Sequence, residues 1–276
     1  MFDIFTEPSL RFLRYALISG LLSSLAFGIV GSFVVARKIS YIAGSIAHSV
    51  LAGIGFSLYA QYHFDWNWFH PMLGATIAAL LSALLIGFVT LRARQNEDTV
   101  IGAVWAIGMA LGLILIALTP GYIDPMSYLF GNILMMSSRD LWRIALLDGV
   151  IVSGIILLYN KLQAVCFDDE FVKVRGLNAD GLYILLLLIT ALTIVLMVHV
   201  VGIVLVIALL TLPAAVASLF AKRLWQMMSL AVLFSMIFTT GGIAASYSMD
   251  LPSGPVIILL AGTVYLAGTT IKSMKM

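Results

Sequence analysis

The chain has 276 residues, 62% of them apolar and 10% charged, with a formal net charge of +2. Soluble domains run at about 45–50% apolar and about 25% charged, so a water-soluble core of this size is excluded and no soluble domain is left over. The basic residues sit at the ends of apolar runs, which gives no footing for nucleic acid, and the single cysteine, Cys166, permits no internal disulfide.

Asp3 and Glu7 stand where a secretory signal would carry basic residues, so the first apolar run is read as a retained span. The predicted elements in chain order are helical spans at 10–36, 41–62, 71–91, 99–119, 141–160, 182–199, 202–221, 225–247 and 254–271. From Leu182 to Ala221 there is no Asp, Glu, Lys or Arg. Such a run would extend about 60 Å as one helix, twice a hydrocarbon core of about 30 Å, so it must turn back, and the turn is placed at His199-Val-Val-Gly202. Every run exceeds the ~10 residues of a barrel strand and lacks period-two alternation. The expected fold class is therefore all-α, a polytopic bundle of about eight to nine membrane helices forming one domain, 1–276.

Eleven of the fifteen basic residues fall on alternate connections, among them Arg37, Lys38, Arg92, Lys173, Arg175, Lys222 and Lys272. The positive-inside rule then predicts an outside N-terminus and an inside C-terminus. The charged island at 161–181, with Asp168-Asp-Glu-Phe-Val-Lys-Val-Arg-Gly176 at its centre, is assigned to the cytoplasm. The opposite connections carry Tyr62-His-Phe-Asp-Trp-Asn-Trp-Phe-His70 and the segment 122–138, suited to a membrane–water interface.

Ionisable groups at membrane depth are functional candidates by default. His48 lies ten residues beyond Lys38, about 15 Å along a helix, where a neutral imidazole can ligate a passing dication or simply hydrogen-bond a neighbouring helix. Asp148 is the one carboxylate well inside a span, either attracting cations or serving the bundle. His199, near a span end, reads as structural. His63, Asp65 and His70 offer ligand-type side chains on an outer loop, without a spacing that sets them apart from a solvated turn. Glycines and hydroxyls crowd the second span, including Gly44, Ser45, Ser49, Gly53 and Gly55, which suits close helix packing or a helix that lines a path. There is no phosphate-binding G-x-x-x-x-G-K-[ST] loop, no nucleophile elbow and no H-E-x-x-H, so catalysis and self-powered ATP use are not expected.

Several stretches taken together resemble one family. Ser32-Phe-Val-Val-Ala-Arg-Lys-Ile-Ser-Tyr41, Ser45-Ile-Ala-His-Ser-Val-Leu-Ala-Gly53, Glu97-Asp-Thr-Val-Ile-Gly102, Tyr128-Leu-Phe-Gly-Asn-Ile-Leu134, Thr211-Leu-Pro-Ala-Ala-Val-Ala217 and Asp250-Leu-Pro-Ser-Gly-Pro255 are similar to the permease subunit of zinc/manganese/iron ABC importers, over about residues 15–270. The zinc branch looks most similar.

The resemblance implies a multi-pass subunit of a bacterial inner membrane, present as two copies, that carries a divalent metal ion by alternating access and binds no cofactor itself. ATP would be hydrolysed by two copies of a separate ATPase, and an extracytoplasmic metal-binding protein would deliver the ion near 62–70 and Asp250. Asp168, Glu170 and Gly176 match the family's ATPase-coupling pattern, with Val172 where alanine is usual. Ser45, His48, Asp148 and Asp250 are the implied path or gate candidates. Gly44 and Asn132 stand where members commonly carry aspartate, which removes negative charge that would favour a dication. The rival classes are an ion-coupled secondary transporter, for which only Asp148 supplies an acid in a span, and a membrane enzyme, for which no constellation of acids, bases and nucleophiles exists.

Overall fold

A computed structural model describes residues 11–92, 97–121, 125–131 and 137–274. The helices are α1 (Arg11–Ala36), α2 (Ser40–Phe64), α3 (Pro71–Arg92), α4 (Glu97–Ala117), α5 (Pro125–Phe130), α6 (Ser138–Phe167), α7 (Asp169–Val174), α8 (Ala179–Val201), α9 (Ile203–Phe220), α10 (Leu224–Met249) and α11 (Ser253–Ser273). Nine of them are long and apolar enough to cross a membrane. No strand occurs among the described residues. The predicted spans are all present, and the turn within the uncharged run falls at Gly202, as expected.

That turn is one residue long. Gly202 holds φ +81°, a conformation that costs an L side chain strain, and the backbone N–H groups of Gly202 and Val206 bond Val198 and Gly202 carbonyls at 2.9 and 3.0 Å. Two features were not legible in the pattern. The short helix α5 lies in a segment expected to be a plain connection, where the backbone of Gly131 packs against that of Val201 and Gly202. And α6 runs unbroken to Phe167, so residues 161–167 of the predicted charged segment are the last turns of a spanning helix, leaving only 169–174 as a separate helix.

Because lipid offers no hydrophobic drive between helices, the core is assembled by close backbone approach. The helix α1 lies against α10 where Gly20 faces Thr239 and Gly28 faces the Val232 backbone, and against α9 where Gly31 faces the Leu210 carbonyl. The helix α2 lies against α3 through the reciprocal pair Gly53 and Gly74, and against α4 through Gly55, Gly108 and Gly112. The apolar stretches of α2 and α1 are mostly buried, whereas those of α4, α6 and α11 remain largely exposed, with Ile107, Trp142, Leu157 and Leu266 turned outward. The helices α1 and α2 thus form the interior and α3, α4, α6 and α11 the rim.

The hydroxyls of α2 have a bland explanation with one exception. Ser49 and Ser57 donate to carbonyls of their own helix, Ile46 and Ile54, at 2.7 and 2.8 Å. Ser45 instead donates across to the Ile101 carbonyl of α4 at 2.8 Å.

Candidate functional site

With nine spans the connections alternate between two ends of the bundle. The α1–α2 turn, α7 and the α9–α10 turn share one end; the aromatic loop 65–70, the Gly202 turn and Asp250 share the other.

His48 is the ninth of the 25 residues of α2 and faces α4. Its ring stacks on Trp105 with centroids 4.4 Å apart and planes 17° from parallel, and its buried Nδ1 has no hydrogen-bond partner among the described residues. Trp105 also meets Tyr41, at 5.9 Å. The reason for the stack is one turn earlier in α2: a Cβ built on Gly44 would stand 3.1 Å from Trp105 Cζ3. The indole therefore fills the space that a carboxylate at position 44 would need. Glycine at position 44 and the aromatic ring are two halves of one packing solution. We expect Gly44→Asp to destabilise the protein by about 1–3 kcal/mol through overpacking. Trp105→Ala in the same chain should recover much of it, as read from apparent melting temperatures in detergent; a Gly44→Asp protein as stable as the parent would contradict this.

Asp148 is 3% exposed, and neither of its carboxylate oxygens has a partner among the described residues. It lies on the buried stripe of α6 with Ile144, Ile151 and Ile155. That helix packs on α1 and α8, whereas His48 looks toward α4, so the two candidates at membrane depth do not converge. Asn132 lies outside the described residues, as does the side chain of His199, although residue 199 is helical in α8.

At the aromatic end, His63 stacks on Tyr59 at 4.0 Å, Asp65 closes α2 in a left-handed conformation (φ 55°), and His70 precedes α3. The loop is bound together by its rings: Phe64 meets Trp66 at 5.7 Å, Trp66 meets Trp68 at 6.0 Å, and Trp68 meets Phe69 at 5.5 Å. His70 lines a cavity of about 460 Å³ with Met72, Asp140, Arg143 and Leu196. Asp250 caps α10, also left-handed at φ 54°, and is exposed. No group of three or more His, Cys, Asp or Glu side chains placed to hold a metal occurs among the described residues.

The charged end is built differently. Asp168 starts α7 by accepting a hydrogen bond from the Phe171 N–H at 2.9 Å. The helix ends in a paired closure, with the N–H of Gly176 donating to the Lys173 carbonyl at 3.0 Å and that of Leu177 to the Val172 carbonyl at 3.1 Å. Gly176 holds φ +73° there, which explains glycine at that position. Val172 is 1% exposed. It points into the bundle's own core, so its extra bulk relative to alanine bears on how α7 is seated.

Large apolar side chains are exposed on α7 and just before it, beside the exposed Glu170 and Lys173. Phe167 is 65% exposed, Phe171 47% and Val174 87%, with Arg175 lying over the Phe171 ring at 4.8 Å. Sequence reasoning singled out the charges of this segment and missed its exposed apolar side chains; the i, i+3 spacing of Phe171 and Val174 within α7 was the available signal.

A model of a transport family, "ABC 3 transport family", matches residues 9–272. A membrane protein of Synechocystis is 42% identical over 257 residues, covering 93% of this chain and 89% of its own length. The manganese transport system membrane protein MntC of Listeria monocytogenes is 34% identical over 254 residues, 92% of this chain and 88% of its own. Among solved structures, a chain of PsaBC from Streptococcus pneumoniae in complex with Fab superposes with a TM-score of 0.84 at 28% identity, over 97% of this chain and 93% of that one.

Proposed function

Because the chain belongs to the ABC 3 transport family, in which it is a multi-pass transport subunit and no enzyme, we propose that its cargo is a divalent first-row metal ion moved by a separate ATPase. The reading is carried by α7: a six-residue helix, held to the bundle by buried Val172, presents Phe171 and Val174 outward at the charged end. A soluble motor can grip such a knob. Among the described residues Asp148 is the one buried carboxylate inside a span, and it stands apart from His48 and from any group of three or more ligand-type side chains, which is less than the ion site of a self-sufficient, ion-coupled carrier.

In this proposal α7 faces the cytoplasm and meets the ATPase, two permeases pair with two ATPases, and an extracytoplasmic metal-binding protein docks at the aromatic end near His63, Asp65, His70 and Asp250. The resemblance of the sequence pointed to zinc, while the Listeria relative carries manganese in its name. At membrane depth this chain offers His48 without a carboxylate one turn away. A lone imidazole leans toward Zn²⁺ over Mn²⁺, but one such ligand is no complete site for either ion. Selection of the metal therefore falls to the binding protein, and the path holds the ion weakly, as rapid passage requires.

The test is reconstitution with the ATPase and binding protein in liposomes, following Mn²⁺ and Zn²⁺ separately. Uptake should need ATP and the ATPase, and gradient-driven uptake by the permease alone would sink the proposal. His48→Ala should slow transport by less than about tenfold, the size expected from losing one weak contact worth about 1.4 kcal/mol or less. Abolition of uptake with assembly and ATP turnover intact would instead make His48 an essential ligand.

A further inference from the structure

Asp169 opens α7, but it does not share the role of its neighbours. Asp168 caps the helix and Glu170 is exposed, whereas Asp169 Oδ2 accepts a hydrogen bond from Arg37 Nη2 at 2.5 Å, across 132 positions of sequence. The pair is partly enclosed, with side chains 24% and 40% exposed. The Arg37 guanidinium also lies 5.4 Å over the Tyr183 ring of α8, which fixes its direction.

Arg37 is the first residue beyond α1, and α2 begins at Ser40. The intervening turn is stiff. The N–H groups of Arg37, Lys38 and Ile39 donate to the Phe33, Val35 and Val34 carbonyls at 2.9, 3.1 and 2.9 Å, Lys38 is held at φ 62°, and Ile39 is buried. A displacement of Arg37 is therefore passed to the start of α2 with little slack. Beside the pair lies a cavity of about 380 Å³ bounded by Arg37, Asp169, Asp98, Tyr183 and Tyr41. Tyr41 in turn touches Trp105, the ring on which His48 is stacked. One ion pair thus connects the exposed α7 knob to the helix that carries His48, with open space beside it into which the side chains can move.

We infer that the Arg37–Asp169 pair is the strut through which movement of α7 is handed to α2, and that both are positioning residues for transport. This rests on α7 being the ATPase contact. A merely static clip predicts something else: partly exposed ion pairs contribute little to stability and would leave the coupling of ATP to transport untouched.

The experiment uses the permease–ATPase complex with its binding protein in liposomes, and reads metal ions carried per ATP hydrolysed, with Mn²⁺ and Zn²⁺ each supplied as probe. Arg37→Asp and Asp169→Arg should each lower that ratio by about tenfold, and the exchanged pair should restore most of it, as expected for a direct interaction in a double-mutant cycle. Arg37→Lys, which keeps the charge but loses the planar fork, should fall between. An unchanged ratio in both single reversals, or an exchanged pair no better than either, overturns the strut, as does a lowered melting temperature with a normal ratio. Retention of the ATPase in the purified complex is scored separately. Retention in all the strut variants with an unchanged ratio removes the strut alone, whereas full retention after Phe171→Glu with Val174→Glu removes the docking reading beneath it.

Discussion

Phe171→Glu and Val174→Glu together should strip the ATPase from the purified complex, lowering its affinity by at least about tenfold to a hundredfold, since truncating anchors of this kind typically costs about 1.4–3 kcal/mol. The physical reason is the contrast across α7. Its buried side, centred on Val172, fixes the helix to the bundle, while Val174 is 87% exposed and Phe171 47%, the latter ring lying under the Arg175 guanidinium. A glutamate on the outward side leaves the fold intact but carries a charge into whatever apolar groove receives the helix, where it meets a desolvation cost without a partner. The measurement is the ratio of the two subunits after purification together with the rate of ATP hydrolysis. Undiminished retention would mean that the motor grips another surface.

Gly53→Leu should have the largest effect on the fold. A Cβ at Gly53 would enter the Gly74 carbonyl and approach Ala78 Cβ to 2.8 Å, and a Cβ at Gly74 would enter the Gly53 carbonyl, so neither helix can yield without the other. Forcing an isobutyl group into this crossing separates α2 from α3 along much of their contact. The cost should be about 3 kcal/mol or more, at the upper end of overpacking. The readout is the fraction of protein surviving as a monodisperse species after heating in detergent. Gly149→Ala is the matching control, because nothing lies within 4 Å of a Cβ there, and helix propensity predicts a gain of about 0.5–1 kcal/mol. Equal behaviour of the two variants would refute close backbone approach as the basis of the packing.

The places where sequence reasoning fell short share a cause. The pattern of apolar runs and charged breaks placed all nine spans and even the turn at Gly202, because lipid admits only helices that satisfy their own backbone and that are long enough to cross. The same pattern is silent on rotation about each helix axis. Every face of a spanning helix is apolar, so periodicity does not say that α2 is interior while α4 lies at the rim, and the six residues of α7 are too few for a period to say that Val172 points inward and Val174 outward. It is equally silent on partners distant in the chain. Gly44 reads as a lost carboxylate until Trp105 is seen to occupy the space, and Arg37 reads as an ordinary basic flank until Asp169 is found on its guanidinium.

The amino-acid order alone therefore settles the class, the position of the apolar runs, the polar island and the resemblance to the family, since these depend on local composition and on segments short enough to be recognised one at a time, while the structure fixes nine helices long enough to cross among the described residues. Tertiary structure decided which residues of the island face out, which glycines are crossing points, why His48 stands without an acid beside it, and how the α7 end is tied to α2. Each of those depends on side chains brought together from separate helices, and in a chain whose helices are apolar all round only the packing chooses the neighbours.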